Sequence, residues 1–294
     1  MIETHCPICG INIDYKVIYR ENLPLSETVF STRKAPDNYH YRIVKCNRCG
    51  LLYSNPILEN DQINKLYEES KFDYGAELEN LKKTYGNYLK KIENLVPSKE
   101  NLLDIGCGNG FFLEKALEMG YKNVYGVEPS NKAIENVSIM VEGKIINDVF
   151  NSKDFSSNFF DVICFFQVIE HIVDLNDFLI GCLKSLKKGG IILCIAHDSN
   201  AFFPKILKDR CPIINNEHIW IFNKETLKKI FLKYNFQVIK VGPVANIYSL
   251  TYWFKMMPIP KFLNKFIFNL LSFLKIANKR ISIKAGNIFI VAKK

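Results

Sequence analysis

An α/β fold with a parallel sheet, preceded by a small unit built on cysteine knuckles, is what this sequence of 294 residues predicts. Three observations predict it. A short apolar run, Asn101 to Ile105, leads into a loop with Gly106, Gly108 and Gly110, and then into a helical pattern reaching Met119. Glycines let backbone approach a ligand closely, and a strand-loop-helix order puts that ligand at the mouth of parallel strands. A second run, Val124-Tyr-Gly-Val-Glu128, ends in a carboxylate about 20 residues beyond the first strand's acid, Asp104, where it suits the hydroxyls of a ribose. The third observation is N-terminal, where Cys6-Pro-Ile-Cys9-Gly10 and Cys46-Asn-Arg-Cys49-Gly50 form two matched pairs.

Composition bounds the rest. At 48% hydrophobic and 23% charged the chain is globular, long enough for one large domain and a small one. The residues after Met1 show no basic stretch leading into an apolar run, so no signal peptide is read there. The uncharged stretch Val241 to Phe254 is broken by Gly242, Pro243 and Asn246 and falls short of the roughly 20 residues that span a bilayer. A cytoplasmic, reducing setting follows, in which nine cysteines read as thiols or metal ligands rather than disulfides.

The elements follow in order. A two-residue gap inside a tight turn lets both thiolates of a pair face one ion, and the following glycine permits the turn. Cys6, Cys9, Cys46 and Cys49 are therefore expected to complete tetrahedral Zn2+ in a structural zinc ribbon spanning 1–56. Cys107, Cys164, Cys182, Cys194 and Cys211 stand singly and read as buried small hydrophobes. Short strands are expected at Tyr39 to Lys45 and Leu51 to Ser54. Over 57–97, apolar residues such as Ile63, Leu66, Leu81, Tyr85 and Leu89 recur at three- and four-residue steps, giving a helical connector broken near Gly75 that either spaces or covers the next domain.

From 98 onward the order of motifs carries a resemblance. Asp104-Ile-Gly-Cys-Gly-Asn-Gly110 with downstream Glu128 resembles the class I S-adenosylmethionine-dependent methyltransferases. Asn147-Asp148, Asp161 to Ile172 with its Gln167-Val-Ile-Glu-His171 run, and Leu186-Lys-Lys-Gly-Gly190 with the following strand are similar to later segments of that family. So are Asn216 to Leu227 and Tyr234 to Val238. The likeness covers about 98–240, and it implies a Rossmann-like seven-stranded methyltransferase sheet over 98–294. It implies further that Asp104 and the loop of Gly106, Cys107, Gly108 and Gly110 meet the methionine part of S-adenosyl-L-methionine. Glu128, followed by Pro129, would hold the ribose, Asn147 and Asp148 would frame the adenine, and Gln167 would lie near the sulfonium. The paired-cysteine front end and Glu217-His218 are similar to small-molecule methyltransferases, including sugar C-methyltransferases. Asn215 stands where those have Tyr.

Methyl transfer needs two aligned centres and removal of a proton from the acceptor, for which His is the natural base near neutral pH. His218 is the first candidate, with Glu217 orienting it or touching substrate; His171 and His197 are the others. Lys205, Lys208 and Arg210 fall in a stretch that could cover a substrate or simply face solvent. The expected acceptor is a small molecule or a glycan- or lipid-linked precursor, methylated on oxygen or carbon. An RNA methyltransferase, or a cofactor-binding protein without transfer, remains the alternative.

The charge is unevenly placed. Twelve Lys and Arg280 fall after Glu225 with no acid among them, while the first 225 residues carry 26 basic side chains against 30 acidic. Lys261 to Lys275 fits a helix with polar positions 261, 264, 265, 269, 272 and 275 on one side and Phe, Leu and Ile on the other. With Trp253, Met256, Met257, Pro258 and Pro260 it makes an amphipathic insertion at about 247–282. An apolar stripe rimmed by Lys suits peripheral contact of 247–280 with anionic lipid at the inner face of the membrane; packing on the body or on a second subunit of an oligomer is the other reading. Nucleic acid is not expected, because the aromatics follow an apolar face rather than interleaving with the cations.

Overall fold

The computed structural model describes residues 1–10, 14–23, 30, 38–70, 75–255 and 261–294, without the side chains of 76, 261, 262, 264 and 265. The expectations for Met256, Met257, Pro258, Pro260 and the side chains of 261, 264 and 265 lie outside the described residues.

The N-terminal unit carries β1 (Tyr15–Tyr19), β2 (Ile43–Cys46) and β3 (Leu52–Ser54), paired antiparallel. In β2, Ile43, Val44 and Cys46 are buried while Lys45 faces out. Two helices follow, α1 (Asn60–Glu68) and α2 (Leu78–Lys91), with a 3-10 turn at Gly75–Glu77 between them where a break was expected. Leu81, Tyr85, Tyr88 and Leu89 form the buried stripe of α2, at helical spacing.

The next elements are β4 (Asn101–Ile105), α3 (Phe111–Glu118), β5 (Asn123–Val127), α4 (Asn131–Ile134) and β6 (Ile145–Ile146), then β7 (Phe160–Phe166), α5 (Leu175–Ser185) and β8 (Leu186–His197). After them come α6 (Phe202–Leu207), β9 (Trp220–Ile221), α7 (Lys224–Lys233) and β10 (Gln237–Pro243). The chain closes with β11 (Asn246–Ser249), α8 (Leu250–Lys255), α9 (Lys261–Phe273), β12 (Arg280–Ile283) and β13 (Asn287–Lys293). Seven strands make the expected α/β sheet in the order β10-β13-β8-β7-β4-β5-β6, parallel except for β13, which runs antiparallel to both neighbours. Every residue of β7 is buried, as a strand covered on both faces requires. Asp161 latches its start: the fully buried carboxylate accepts from the Ser98 hydroxyl, the Asn101 N–H and Lys187 Nζ at 2.8–2.9 Å. The strand order reverses between β4 and β7, and a crevice opens at that switch point beyond the carboxyl ends of the strands.

Two features were not expected from the sequence. Strand β9 leaves the large domain to complete the N-terminal sheet, order β1-β2-β3-β9, through Leu52↔Ile221 and Tyr53↔Trp220. Cys6, Val44 and Tyr53 accordingly share one core with Leu103, Ile163 and Phe231 of the large domain. The second is an antiparallel ladder of β11 with β12, Asn246↔Ile283 to Ser249↔Arg280, which closes the neck of the C-terminal insertion. Beyond it Trp253 and Leu271 are buried, but Leu263, Phe266, Leu270, Phe273 and Leu274 are exposed, so this part of the apolar face is not packed on the body. No helix among the described residues is long and apolar enough to cross a membrane.

Candidate functional site

The four knuckle cysteines converge. Cys6 Sγ lies 3.4 Å from Cys49 Sγ and Cys46 Sγ 3.9 Å from Cys9 Sγ, and all four sulfurs fall within 4.8 Å of one another. Tetrahedral zinc with Zn–S near 2.3 Å sets sulfurs about 3.8 Å apart, so the set fits that ion. Gly10 and Gly50 have φ of 70° and 83° and donate their N–H to the carbonyls of Cys6 and Cys46, closing the two turns. The five single cysteines are all buried, as expected.

At the switch point lies a cavity of about 870 Å³. Asp104, Gly106, Cys107, Glu128, Pro129 and Gln167 line one end of it. Asp104, next to last in β4, is 2% exposed, and its Oδ1 has no hydrogen-bond partner. Burial, and then the charge of Glu128, push its carboxyl well above the usual carboxylate range. Glu128 follows β5; its Oε2 accepts from the Gly108 N–H and its Oε1 from the Ser130 N–H, both at 2.9 Å. Burial raises its pKa, and those two bonds oppose the rise. Gly106 has φ +71°, and a Cβ there would meet Val168 Cγ2 at 2.4 Å, so only glycine forms this wall. Gln167 is also left-handed, φ 57°.

Gly108, Gly110, Asn147 and Asp148 are not among the lining residues. Asn147 Nδ2 instead donates to the carbonyls of Glu128 and Pro129 at 3.0 and 3.3 Å, bracing the backbone behind the site. Asp148 is exposed, its carboxylate accepting from the Val149 N–H. The wall where Asn147 and Asp148 were expected is formed by Val149, Phe150, Asn151 and Ser152. The connector helices cover the cavity rather than merely spacing it, since Ile63, Tyr67 and Tyr85 line it.

Three histidines line the far end in a row, His171 to His218 and His218 to His197, each pair 4.8 Å between ring centroids. His218 Nδ1 is held by the Ile213 carbonyl at 2.9 Å, so that carbonyl, rather than the expected Glu217, is its orienting partner. Asn215 Oδ1 accepts from the N–H groups of both Glu217 and His218 at 2.9 Å; this Asn builds the turn that presents the pair to the cavity. His171 Nδ1 lies 2.7 Å from Tyr67 Oη and 3.0 Å from the Glu217 carbonyl. His197 Nδ1 lies 3.0 Å from Asn287 Oδ1. Burial lowers His171 and His197 to a pKa of about 4 and His218 well below its ordinary value, so all three are neutral at physiological pH. Behind them Glu170, 1% exposed, is pushed up to about 8 by burial. Lys205, Lys208 and Arg210 do not line the cavity; Pro212, Ile213 and Asn215 do.

Sequence reasoning passed over Tyr67 and Glu170. Glu170 sits in the Gln167 to His171 run, past the end of β7, and nothing in that run sets it apart. Tyr67 lies 104 residues from the histidine that it touches, and no local pattern marks it.

The sheet, the strand-end acids and the glycine wall define a class, and the comparison with known families agrees: the chain belongs to the methyltransferase-domain family, which matches residues 78–241. It is 30% identical over 96 residues to a ubiquinone biosynthesis O-methyltransferase of Rhizobium johnstonii, covering 31% of this chain and 38% of that protein. It is 30% identical over 117 residues to the mitochondrial ubiquinone biosynthesis O-methyltransferase of Homo sapiens, covering 35% and 31% respectively. The chain thus spans well under half the length of these relatives. Among solved structures, a chain of the complex between the Haloferax volcanii Trm112 methyltransferase activator and a methyltransferase is similar in fold, with TM-score 0.50 and 14% identity over 74% of this chain and 92% of that one.

Proposed function

We propose that the chain transfers a methyl group from S-adenosyl-L-methionine to an oxygen of a small-molecule acceptor. The observation that carries the reading is one cavity with two chemically different ends: strand-end acids and a glycine wall at one, three neutral imidazoles at the other. The first end fits the cofactor, because Asp104 Oδ1 is the buried, unpartnered acceptor that an ammonium group needs. Glu128 would hold the ribose, Val149 to Ser152 would face the adenine, and the bound cofactor supplies an electrophilic methyl group. Gln167, at the cofactor end, would lie near the sulfonium and help align the acceptor for in-line attack. His171, His197, His218 and Glu217 would surround the acceptor, and the cover of Tyr67 and Tyr85 would exclude water. Oxygen rather than carbon as the acceptor is supported by the names of the curated relatives.

A volume near 870 Å³ is within the range of small-ligand sites, which favours a small molecule over RNA. Zinc at Cys6, Cys9, Cys46 and Cys49 would be structural, since four protein ligands leave no open position. The basic segment 247–280 would rest on an anionic lipid surface from the cytoplasmic side, which suits a lipid-linked or glycan-precursor acceptor.

The test is calorimetric titration with S-adenosylmethionine. Asp104→Ala or Glu128→Ala should weaken binding by roughly 10- to 100-fold, the scale of one lost hydrogen bond to a charged group. Unchanged affinity in both variants would overturn the assignment.

A further inference from the structure

We infer that Glu170, His197 and His218 form a site for a divalent first-row transition-metal ion, open toward the acceptor end of the cavity. The three come from separate segments: the turn after β7, the end of β8 and the approach to β9. One ligand atom from each falls within 4.8 Å of the others, and His197 Nε2 is already 3.6 Å from Glu170 Oε1. Ligands about 2.1 Å from an ion stand about 3.4 Å apart in a tetrahedron, so rotations of the rings of about an ångström complete the set.

The hydrogen-bond pattern around each ligand points the same way. A carbonyl can only accept, so the bond to Ile213 puts the His218 proton on Nδ1 and leaves Nε2 as a bare lone pair. Asn287 Nδ2 donates to Asn246 Oδ1, which turns Asn287 Oδ1 toward His197 and fixes that proton on Nδ1 as well. Both imidazoles thus present Nε2 inward, the arrangement by which outer hydrogen bonds orient metal-ligating histidines. Glu170 is the independent sign. Its Oε1 accepts from the His197 N–H at 3.3 Å, but Oε2 is buried without a partner. A buried carboxylate oxygen facing two lone pairs is unfavourable until a cation joins them.

The ligand-bearing backbone is also fixed. The Glu170 carbonyl accepts from the N–H groups of Ile219 and Trp220 at 2.8 and 3.1 Å, and the Ser54 hydroxyl donates to the His218 carbonyl at 2.8 Å. His197 and His218 line the cavity while Glu170 lies behind it, so protein occupies one side of the ion and the cavity the other. Two imidazoles and one carboxylate suit zinc, iron(II), cobalt or manganese rather than magnesium. Three protein ligands with an open position describe a catalytic rather than a structural site. An acceptor hydroxyl entering that position would lose its proton to solvent more readily, because the ion lowers its pKa. This role rests on the methyl-transfer reading; metal binding itself does not.

Cobalt(II) titration of the full chain tests it, read by metal analysis and visible spectra. Two equivalents are expected, one with sulfur-to-cobalt charge-transfer bands from the cysteine knuckles and one with ligand-field bands only. His218→Ala, and independently His197→Gln, should lose the second equivalent, keep the first and still bind S-adenosylmethionine. Cys46→Ser should lose the charge-transfer bands, which assigns them to the knuckles. Uptake of the thiolate equivalent alone by the wild-type chain, or an unchanged second equivalent in both histidine variants, would overturn the site. Glu170→Gln should lose the second equivalent as well; should that variant not fold, the two histidine variants decide. Two equivalents without any cofactor binding would uphold the metal site and remove the methyl-transfer reading instead.

Discussion

At Asp104 a cost in stability accompanies the cofactor-binding role proposed for it. Its folded pKa is raised above the unfolded one by burial first and by Glu128 second, so the native state holds this proton more tightly. Its contribution to stability is therefore fully present below the ordinary carboxylate pKa and is lost as pH rises through the raised value. Asp104→Asn, which cannot ionise, should raise the melting temperature of the free protein at neutral pH. The same variant should weaken S-adenosylmethionine binding and flatten its pH dependence. In the wild type, affinity should fall toward acid as the carboxyl takes its proton and can no longer meet an ammonium group. An equally steep slope in the Asn variant would mean that another group sets it. Asp104 and Glu128 were legible because each is an acid closing an apolar run beside glycines. Asp148 was placed by likeness alone, and its carboxylate is instead held by the Val149 N–H. Glu170 was hidden because its meaning depends on His197 and His218, which only the fold brings to it.

At the scale of elements, the N-terminal unit acts as a brace for the far end of the cavity. Strand β9 has two residues, and its partner β3 lies some 170 positions earlier, so no window of sequence could show the pairing. The knuckles themselves were legible, because cysteine spacing is local, as were β4, β5 and the glycine loop. The β11–β12 ladder was not: it pairs an edge that flanks helices read only for their amphipathic pattern. The brace makes a graded prediction. Ser54→Ala removes one buried hydrogen bond to the His218 carbonyl and should cost about 1 kcal/mol, seen as a lower denaturant midpoint with unchanged slope. Cys46→Ser should do more, because zinc at the four cysteines, as proposed, would contribute folding free energy directly. In that variant β2, β3 and β9 should lose amide-exchange protection together, while β7 and β8 keep theirs. Loss confined to β1 and β2 would show that the ribbon does not support β9.

At the scale of the whole molecule, the C-terminal region brings positive charge and exposed apolar side chains together. The last 69 residues carry 13 basic side chains and no acidic one, against a body that is net acidic. Within that region Lys275, Lys279, Arg280 and Lys284 are exposed beside the exposed Phe266, Leu270, Phe273 and Leu274. Solvated lysines alone would need no apolar neighbours, and a helix packed on its own body would not leave Phe273 83% exposed. Each basic residue near an anionic surface contributes roughly 1 kcal/mol, and each buried Phe roughly 1.5–3 kcal/mol. The two together would make attachment reversible, since no helix among the described residues is long and apolar enough to span a bilayer. Sedimentation with phosphatidylglycerol vesicles should therefore pull the chain down, added salt should release it, and phosphatidylcholine vesicles should bind it weakly. Phe266→Ser with Phe273→Ser should lower the partition by roughly 100-fold, the equivalent of about 3 kcal/mol. If the wild-type chain ignores lipid but is a dimer that this double variant makes monomeric, the face is a subunit contact and lipid attachment is overturned.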